Sequence, residues 1–129
     1  MDTDTFTAGW ATRHEAERKL RYKRMLEAYM AARKCARILY DKYKVSRVYL
    51  IGSLAHPEDF HERSDIDLAV EGLPSHLYFK ALAELWRELP AGLELDLIPL
   101  EDVDPDFLKR ILKEGVSIDG KICCLKSRY

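Results

Sequence analysis

The chain has 129 residues and a formal net charge of −1; 47% of its residues are hydrophobic and 33% are charged. This composition is typical of a globular protein and excludes a disordered or fibrous one. The longest apolar run is far shorter than the roughly 20 residues of a membrane-spanning helix, and residues 1–7 lack the pattern of a signal peptide. We therefore expect one domain over residues 1–129, located in the cytoplasm and without membrane contact.

Positive and negative charges are distributed unevenly along the chain. Residues 13–47 hold twelve Lys or Arg against four Asp or Glu, a local +8, whereas the other residues hold nine against eighteen, a local −9. A solvated basic helix face explains this asymmetry, and so does an acidic partner protein; direct nucleic-acid binding is not required.

Cys35, Cys123 and Cys124 lack the spacing of a disulfide framework or a zinc site, so we interpret them as small apolar residues.

The first part of the chain is predicted to be helical. Residues 1–12 show no clear pattern and are predicted to be a flexible N-terminus. Over residues 13–44, apolar residues recur near the 3.6-residue period and neither Pro nor Gly interrupts them. This predicts one long helix, or two stacked helices, with a basic exposed face.

Strand-like and helical runs then alternate. Strands are predicted at residues 45–51, 65–71 and 93–100, and helices at 75–89 and 105–115. The C-terminal tail, residues 116–129, has room for one short edge strand. The order predicts an α/β (α+β) fold in which a small mixed β-sheet carries helices packed on one face, with a catalytic core over residues 45–115.

Three carboxylates lie within the predicted strands. Asp65 and Asp67 lie two residues apart, so they share one face of the second strand, and Asp96 lies inside the third. Ionised carboxylates beside apolar neighbours need a compensating cation. Two Mg²⁺ ions would satisfy them, and the third carboxylate could also help to deprotonate an attacking hydroxyl.

The dipeptide Gly52-Ser53 ends the first predicted strand. Glycine allows a close backbone approach, and a turn at this point presents backbone N–H groups and one hydroxyl to an anion. The phosphates of a nucleoside triphosphate fit such a turn, and pyrophosphate would then be the leaving group. The plain alternative is that Ser53 is an ordinary turn residue.

Gly-Ser, a spacer, Asp-x-Asp and a distal Asp in a strand resemble the DNA polymerase beta-like nucleotidyltransferase superfamily. The small size is similar to its minimal nucleotidyltransferase (MNT) branch, and the resemblance covers about residues 37–115. The resemblance implies that Gly52 and Ser53 bind the triphosphate. It also implies that Asp65 and Asp67 bind metal, and that Asp96 is a third ligand or the base.

The resemblance further implies an activity and a partner. Members of this branch are commonly antitoxins of helical HEPN-type ribonuclease toxins. The implied reaction moves AMP from ATP, with Mg²⁺, to a tyrosine hydroxyl of the cognate toxin, in a type VII-like toxin–antitoxin pair. Two alternatives stay open: a nucleotidyltransferase-fold module that neutralises its toxin by direct occlusion, and a transferase acting on an aminoglycoside-like hydroxyl. The latter would need a second domain. A homodimer is compatible with an exposed sheet edge.

The sequence departs from the family pattern after Gly-Ser. Many relatives have Arg shortly after this dipeptide, whereas this chain has Leu-Ala-His-Pro over residues 54–57. His56 and Arg63 are the alternatives for the missing phosphate contact. We interpret His61 as a surface residue and the tyrosines of the first helix as core or interface residues.

Overall fold

The computed structural model describes the backbone of residues 2–56 and 65–118, and the side chains of residues 13–52, 54–56 and 65–118. The elements, in chain order, are α1 (Asp2–Asp41), β1 (Arg47–Ile51), β2 (Ile66–Glu71), α2 (Tyr78–Trp86), β3 (Leu95–Pro99), α3 (Pro105–Glu114) and β4 (Val116–Ile118). A short 3-10 helix, Gly52–Ala55, follows β1. None of the helices in the described ranges combines the length and the apolar content needed to cross a membrane.

Helix α1 is longer than the sequence predicted. It begins at Asp2 rather than near residue 13, so residues 2–12 are helical and not a loose N-terminus. The physical reason is that nothing in this stretch stops a helix, since Gly9 costs only about 1 kcal/mol relative to alanine and no proline is present. The long N-terminal helix of the prediction is confirmed.

The half of α1 that contacts the sheet does so through small side chains. Its fully buried positions are Ala28, Ala32, Cys35, Ala36 and Leu39. Burial raises the pKa of the Cys35 thiol to about 12, so this cysteine is unreactive and acts as a small core residue. Cys123 and Cys124 lie outside the described residues.

The four strands form a mixed sheet in the order β3-β2-β1-β4. Strand β1 pairs antiparallel with β2 and β4, whereas β2 and β3 are parallel. The small mixed sheet and the short edge strand after residue 116 are therefore as predicted. The parallel pairing matters for the site because it aligns Asp67 directly with Asp96.

The helices cover both faces of the sheet. Helices α1 and α2 pack on the larger core, which includes Leu50, Leu68 and Leu97. Helix α3 packs on the opposite face, where Ile111 joins Ala69 in a second, smaller cluster. This differs from the prediction that all helices lie on one face. Apolar side chains of β1 and β2 also point to the second face, and α3 removes them from water.

A side-chain hydroxyl and an indole group protect the β3 edge of the sheet. On the β3 edge, Tyr78 Oη donates to the Leu97 carbonyl at 2.7 Å and Trp86 Nε1 donates to the Leu95 carbonyl at 3.1 Å. Such caps block a free strand edge from pairing with another chain. Trp86 is 45% exposed, because its ring lies over this edge.

Candidate active site

A cleft of about 570 Å³ lies between the sheet and α3. Its lining residues come from the ends of the strands, the turn after β1 and one face of α3. The sheet side and the turn contribute Ile51, Gly52, His56, Asp67, Asp96 and Ile98. The α3 side contributes Phe107, Arg110, Ile111, Glu114 and Gly115.

Asp67 and Asp96 lie side by side in this cleft. They are register partners on the parallel strands β2 and β3, whose backbones are about 4.8 Å apart in any sheet. Successive side chains alternate between faces, so Leu68 and Leu97 enter the large core while the two aspartates face α3. Apolar neighbours along each strand thus hold both carboxylates in place.

Asp65 occupies a different position. Strand β2 begins at Ile66, so Asp65 precedes the strand, and its side chain is exposed. It is not among the residues that line the cleft, but its charge reaches Asp67. The structure therefore brings together two of the three predicted carboxylates, with the third at the rim.

Burial and the neighbouring carboxylates perturb Asp67. The pKa of Asp67 rises from 3.8 to about 6, chiefly because burial disfavours the charged form and additionally because Asp96 and Asp65 repel it. Burial and the charge of Asp96 also raise the pKa of Tyr78. The ionised site is therefore unfavourable in the free protein, and a bound cation would relieve it.

The two carboxylates of Asp67 and Asp96 match the coordination preference of Mg²⁺. No group of three or more His, Cys, Asp or Glu side chains within the described ranges is placed to hold a metal ion by itself. Mg²⁺ usually takes only one or two carboxylates from a protein and fills its remaining positions with water and substrate phosphates. The donor set of Asp67 and Asp96, with Asp65 nearby, fits that ion.

Gly52 forms the floor of the cleft next to Asp67. Its φ of +77° is a conformation that other residues rarely adopt. A Cβ added to Gly52 would lie 2.5 Å from Oδ2 of Asp67, well inside van der Waals contact. Glycine therefore meets two requirements here, a left-handed turn and a close approach to the carboxylate.

The other predicted contacts are only partly described. The backbone of Ser53 continues the 3-10 helix after Gly52, whereas its side chain lies outside the described part of the structure. His56 lines the cleft. Arg63 and His61 fall within residues 57–64, which the structure does not describe.

The α3 wall is the part of the site that the sequence reasoning missed. Phe107, Arg110, Ile111 and Glu114 follow the spacing i, i+3, i+4, i+7, so they share one face of α3. A helix was predicted at residues 105–115, but the polar residues on this face were not considered. That spacing was the available signal, because polar residues on an otherwise apolar helix face suggest a lined cleft.

The chain resembles known proteins in its sequence and in its fold. Residues 33–121 match the family described as polymerase beta, nucleotidyltransferase. Two proteins of Methanocaldococcus jannaschii, each described as a candidate protein adenylyltransferase, are 35% and 34% identical to the chain. The first match covers 73% of this chain and 96% of the relative, and the second covers 65% and 86%.

Solved structures support the same fold at lower identity. A crystal structure of the toxin–antitoxin MntA-HepT aligns with a TM-score of 0.52 at 21% identity, over 72% of this chain and 73% of the other. A structure of the toxin–antitoxin with AMP-PNP aligns with a TM-score of 0.53 at 22% identity, over 70% and 73%. From the match over residues 33–121 and the two closely related sequences, the chain belongs to the polymerase beta-type nucleotidyltransferase family.

Proposed function

We propose that the protein transfers AMP from ATP to a tyrosine hydroxyl of a cognate HEPN-type toxin and thereby acts as its antitoxin. The observation that carries this proposal is the pairing of Asp67 with Asp96 in a cleft whose floor is Gly52. The M. jannaschii relatives are described as candidate protein adenylyltransferases, and the structural neighbours are a toxin–antitoxin, one with AMP-PNP.

The reaction exchanges one bond at the α-phosphorus. The acceptor oxygen forms a bond to the α-phosphorus, the bond from this phosphorus to the β-phosphate oxygen breaks, and pyrophosphate leaves with the electron pair. Asp96 takes the proton of the acceptor hydroxyl, since it faces the cleft beside Asp67. Gly52 and Ser53 bind the triphosphate through the backbone of the turn that follows β1.

Asp67 and Asp96, with Asp65 at the rim, are the residues that would hold Mg²⁺, two ions in the full site. The metal would neutralise phosphate charge and activate the acceptor oxygen. The carboxylates would position it, and the burial and neighbouring charges that disfavour ionised Asp67 in the free protein would favour binding of a cation.

Transfer of label from [α-³²P]ATP tests the proposal. The purified protein is incubated with Mg²⁺ and a co-expressed HEPN-type toxin, either intact or with its tyrosines replaced by phenylalanine. We expect label on the intact toxin only, and a loss of at least about 100-fold for Asp67→Asn combined with Asp65→Asn, since these carboxylates would hold the metal that neutralises the phosphate charge. Asp102→Asn, on the exposed surface, is the matched control. Undiminished transfer by the double variant would refute the assignment.

A second candidate function, neutralisation by direct occlusion, is favoured by the surface of α1. Leu20, Tyr22, Leu26 and Met30 are exposed on this helix. An apolar groove of about 250 Å³ lies beside them, between α1 and the turn after β1. All four exposed residues precede the family match, which begins at residue 33, and the surrounding segment is basic. An acidic, apolar surface of the toxin would complement this face.

Variants on the two surfaces separate the candidates. Leu26→Glu and Met30→Glu place charges on the α1 face without touching the cleft, whereas the Asp65/Asp67 double variant leaves that face intact. If occlusion is sufficient, the Asp variant still silences the ribonuclease and the α1 variants do not. If transfer is required, the Asp variant fails to silence it even though the two proteins co-purify.

A further inference from the structure

The side of the cleft formed by α3 presents an aromatic ring and a cation, which the aspartates of the sheet do not supply. Along one face of α3, an aromatic ring, a guanidinium and a carboxylate come from Phe107, Arg110 and Glu114. The face spans the cleft, because Phe107 lies near the start of α3 and Gly115, at its end, packs against Ile51 at the end of β1. The nine residues from Phe107 to Gly115 cover about 12 Å of helix axis.

Arg110 is the cation of this wall. Among the described residues that line the cleft, it is the only Lys or Arg, against the carboxylates of Asp67, Asp96 and Glu114. It forms no salt bridge with any residue in the described ranges, and its side chain is exposed to the cleft solvent. A guanidinium that is not engaged by a carboxylate can form two parallel hydrogen bonds to phosphate oxygens.

Phe107 is the aromatic platform. Its ring is 37% exposed although it lines a cleft that also contains Ile51, Ile98 and Ile111. An exposed phenylalanine in an apolar part of a cleft marks a place where a flat apolar ligand can bind. Stacking of a nucleobase on such a ring contributes about 1–3 kcal/mol.

We propose that α3 is the nucleotide-binding wall of the site, with Arg110 contacting the phosphates and Phe107 stacking on the base of the nucleoside triphosphate. This inference rests on the proposed function for the presence of a triphosphate. It adds that the cation facing the phosphates comes from α3, since the residues directly after Ser53 offer no Lys or Arg. Both residues bind the substrate and neither is assigned a role in proton transfer.

Two ligands distinguish the two roles. Calorimetric titration with ATP–Mg²⁺ and with pyrophosphate–Mg²⁺ measures Kd for the wild type, Arg110→Ala and Phe107→Ala. Lys109→Ala and Leu112→Ala are the matched controls, because both side chains are exposed on α3 and do not line the cleft. Far-UV circular dichroism and thermal unfolding verify that every variant folds.

We expect Arg110→Ala to weaken both ligands by about tenfold or more, the loss of a charge-assisted hydrogen bond. Phe107→Ala should weaken ATP by at least about fivefold and leave pyrophosphate within about twofold. Arg110→Ala binding both ligands as Lys109→Ala does would overturn the phosphate role, and equal ATP affinities for Phe107→Ala and Leu112→Ala would overturn the stacking role. If the wild type binds neither ligand, the proposed function itself is contradicted. If the wild type binds tightly and the Arg110 and Phe107 variants have the same Kd values as their controls, only the role of α3 is contradicted.

Discussion

Asp67→Asn should make the metal-free protein more stable. The pKa of Asp67 rises from 3.8 to about 6 because the side chain is half-buried and faces two other carboxylates. Each pKa unit corresponds to 1.36 kcal/mol, so complete shielding would give the ionised form a cost of about 3 kcal/mol. Partial solvent screening lowers this to about 1–2 kcal/mol. Asparagine keeps the shape of the side chain and removes the charge.

The effect should depend on pH with a defined sign. Because the pKa is raised in the folded state, the folded protein binds this proton more tightly than the unfolded chain does. Ionised Asp67 therefore lowers the folding stability of the wild type by its full amount above about pH 7. This loss of stability shrinks as the pH falls through about 6. It disappears below pH 3.8, where Asp67 is protonated in both the folded and the unfolded state. The stability gained by Asp67→Asn over the wild type should therefore be largest above about pH 7 and should disappear below pH 3.8.

Thermal unfolding followed by circular dichroism in EDTA is the measurement. At pH 7.5 we expect Asp67→Asn to unfold about 4–8 °C above the wild type, given the usual relation between free energy and Tm for a domain of this size. At pH 4.5 the gap should be at most half as large. Asp102→Asn, on the surface, should show neither effect. A variant that is less stable than the wild type at pH 7.5, or a gap that ignores pH, would refute the electrostatic reasoning.

The remaining predictions concern the turn after β1 and the β4 edge. Gly52→Ala should lower the free energy of unfolding by about 1–3 kcal/mol, measured by urea denaturation, because the new Cβ is strained at positive φ and meets the Asp67 carboxylate. Unchanged stability would show that the turn relaxes freely. Tyr40→Phe should cost about 2–4 kcal/mol in the same assay, since Tyr40 Oη accepts from the Val48 amide at 2.9 Å and donates to the Ile118 carbonyl at 2.8 Å. A loss below about 0.5 kcal/mol would mean that water replaces the hydroxyl.

The strands and their carboxylates were predictable from sequence because the side-chain direction of a strand has a strict period of two. Once residues 65–71 and 93–100 are assigned as strands, the apolar alternation determines which face Asp67 and Asp96 occupy. Their exact pairing was not predictable, since it depends on β2 and β3 being parallel neighbours in register. Asp65 shows the limit of such predictions. The strand was predicted to begin at residue 65, but β2 begins at Ile66, so Asp65 lies outside the strand and does not share its face with Asp67.

The position of α3 could not be predicted for a different reason. The periodicity of a helix indicates which of its faces is apolar but not which face of the sheet will receive it. Here both sheet faces carry apolar residues, so Ile111 could have been buried on either side. Helices α1 and α2 already cover the larger core, so α3, which connects β3 to β4, packs on the other face.

The two walls of the cleft therefore have different physical characters. Asp67 and Asp96 are held by the ladder of the sheet and by fully buried neighbours such as Leu68, which fixes their orientation to within the geometry of the strands. The α3 wall is held by a small cluster around Ile111. A group that must meet a reacting phosphorus needs the rigid wall, whereas binding contacts such as those proposed for Arg110 tolerate small displacements. If the proposed roles hold, Asp67, whose ionised form costs folding stability, lies on the rigid sheet, and the groups proposed to bind only the nucleotide lie on a peripheral helix.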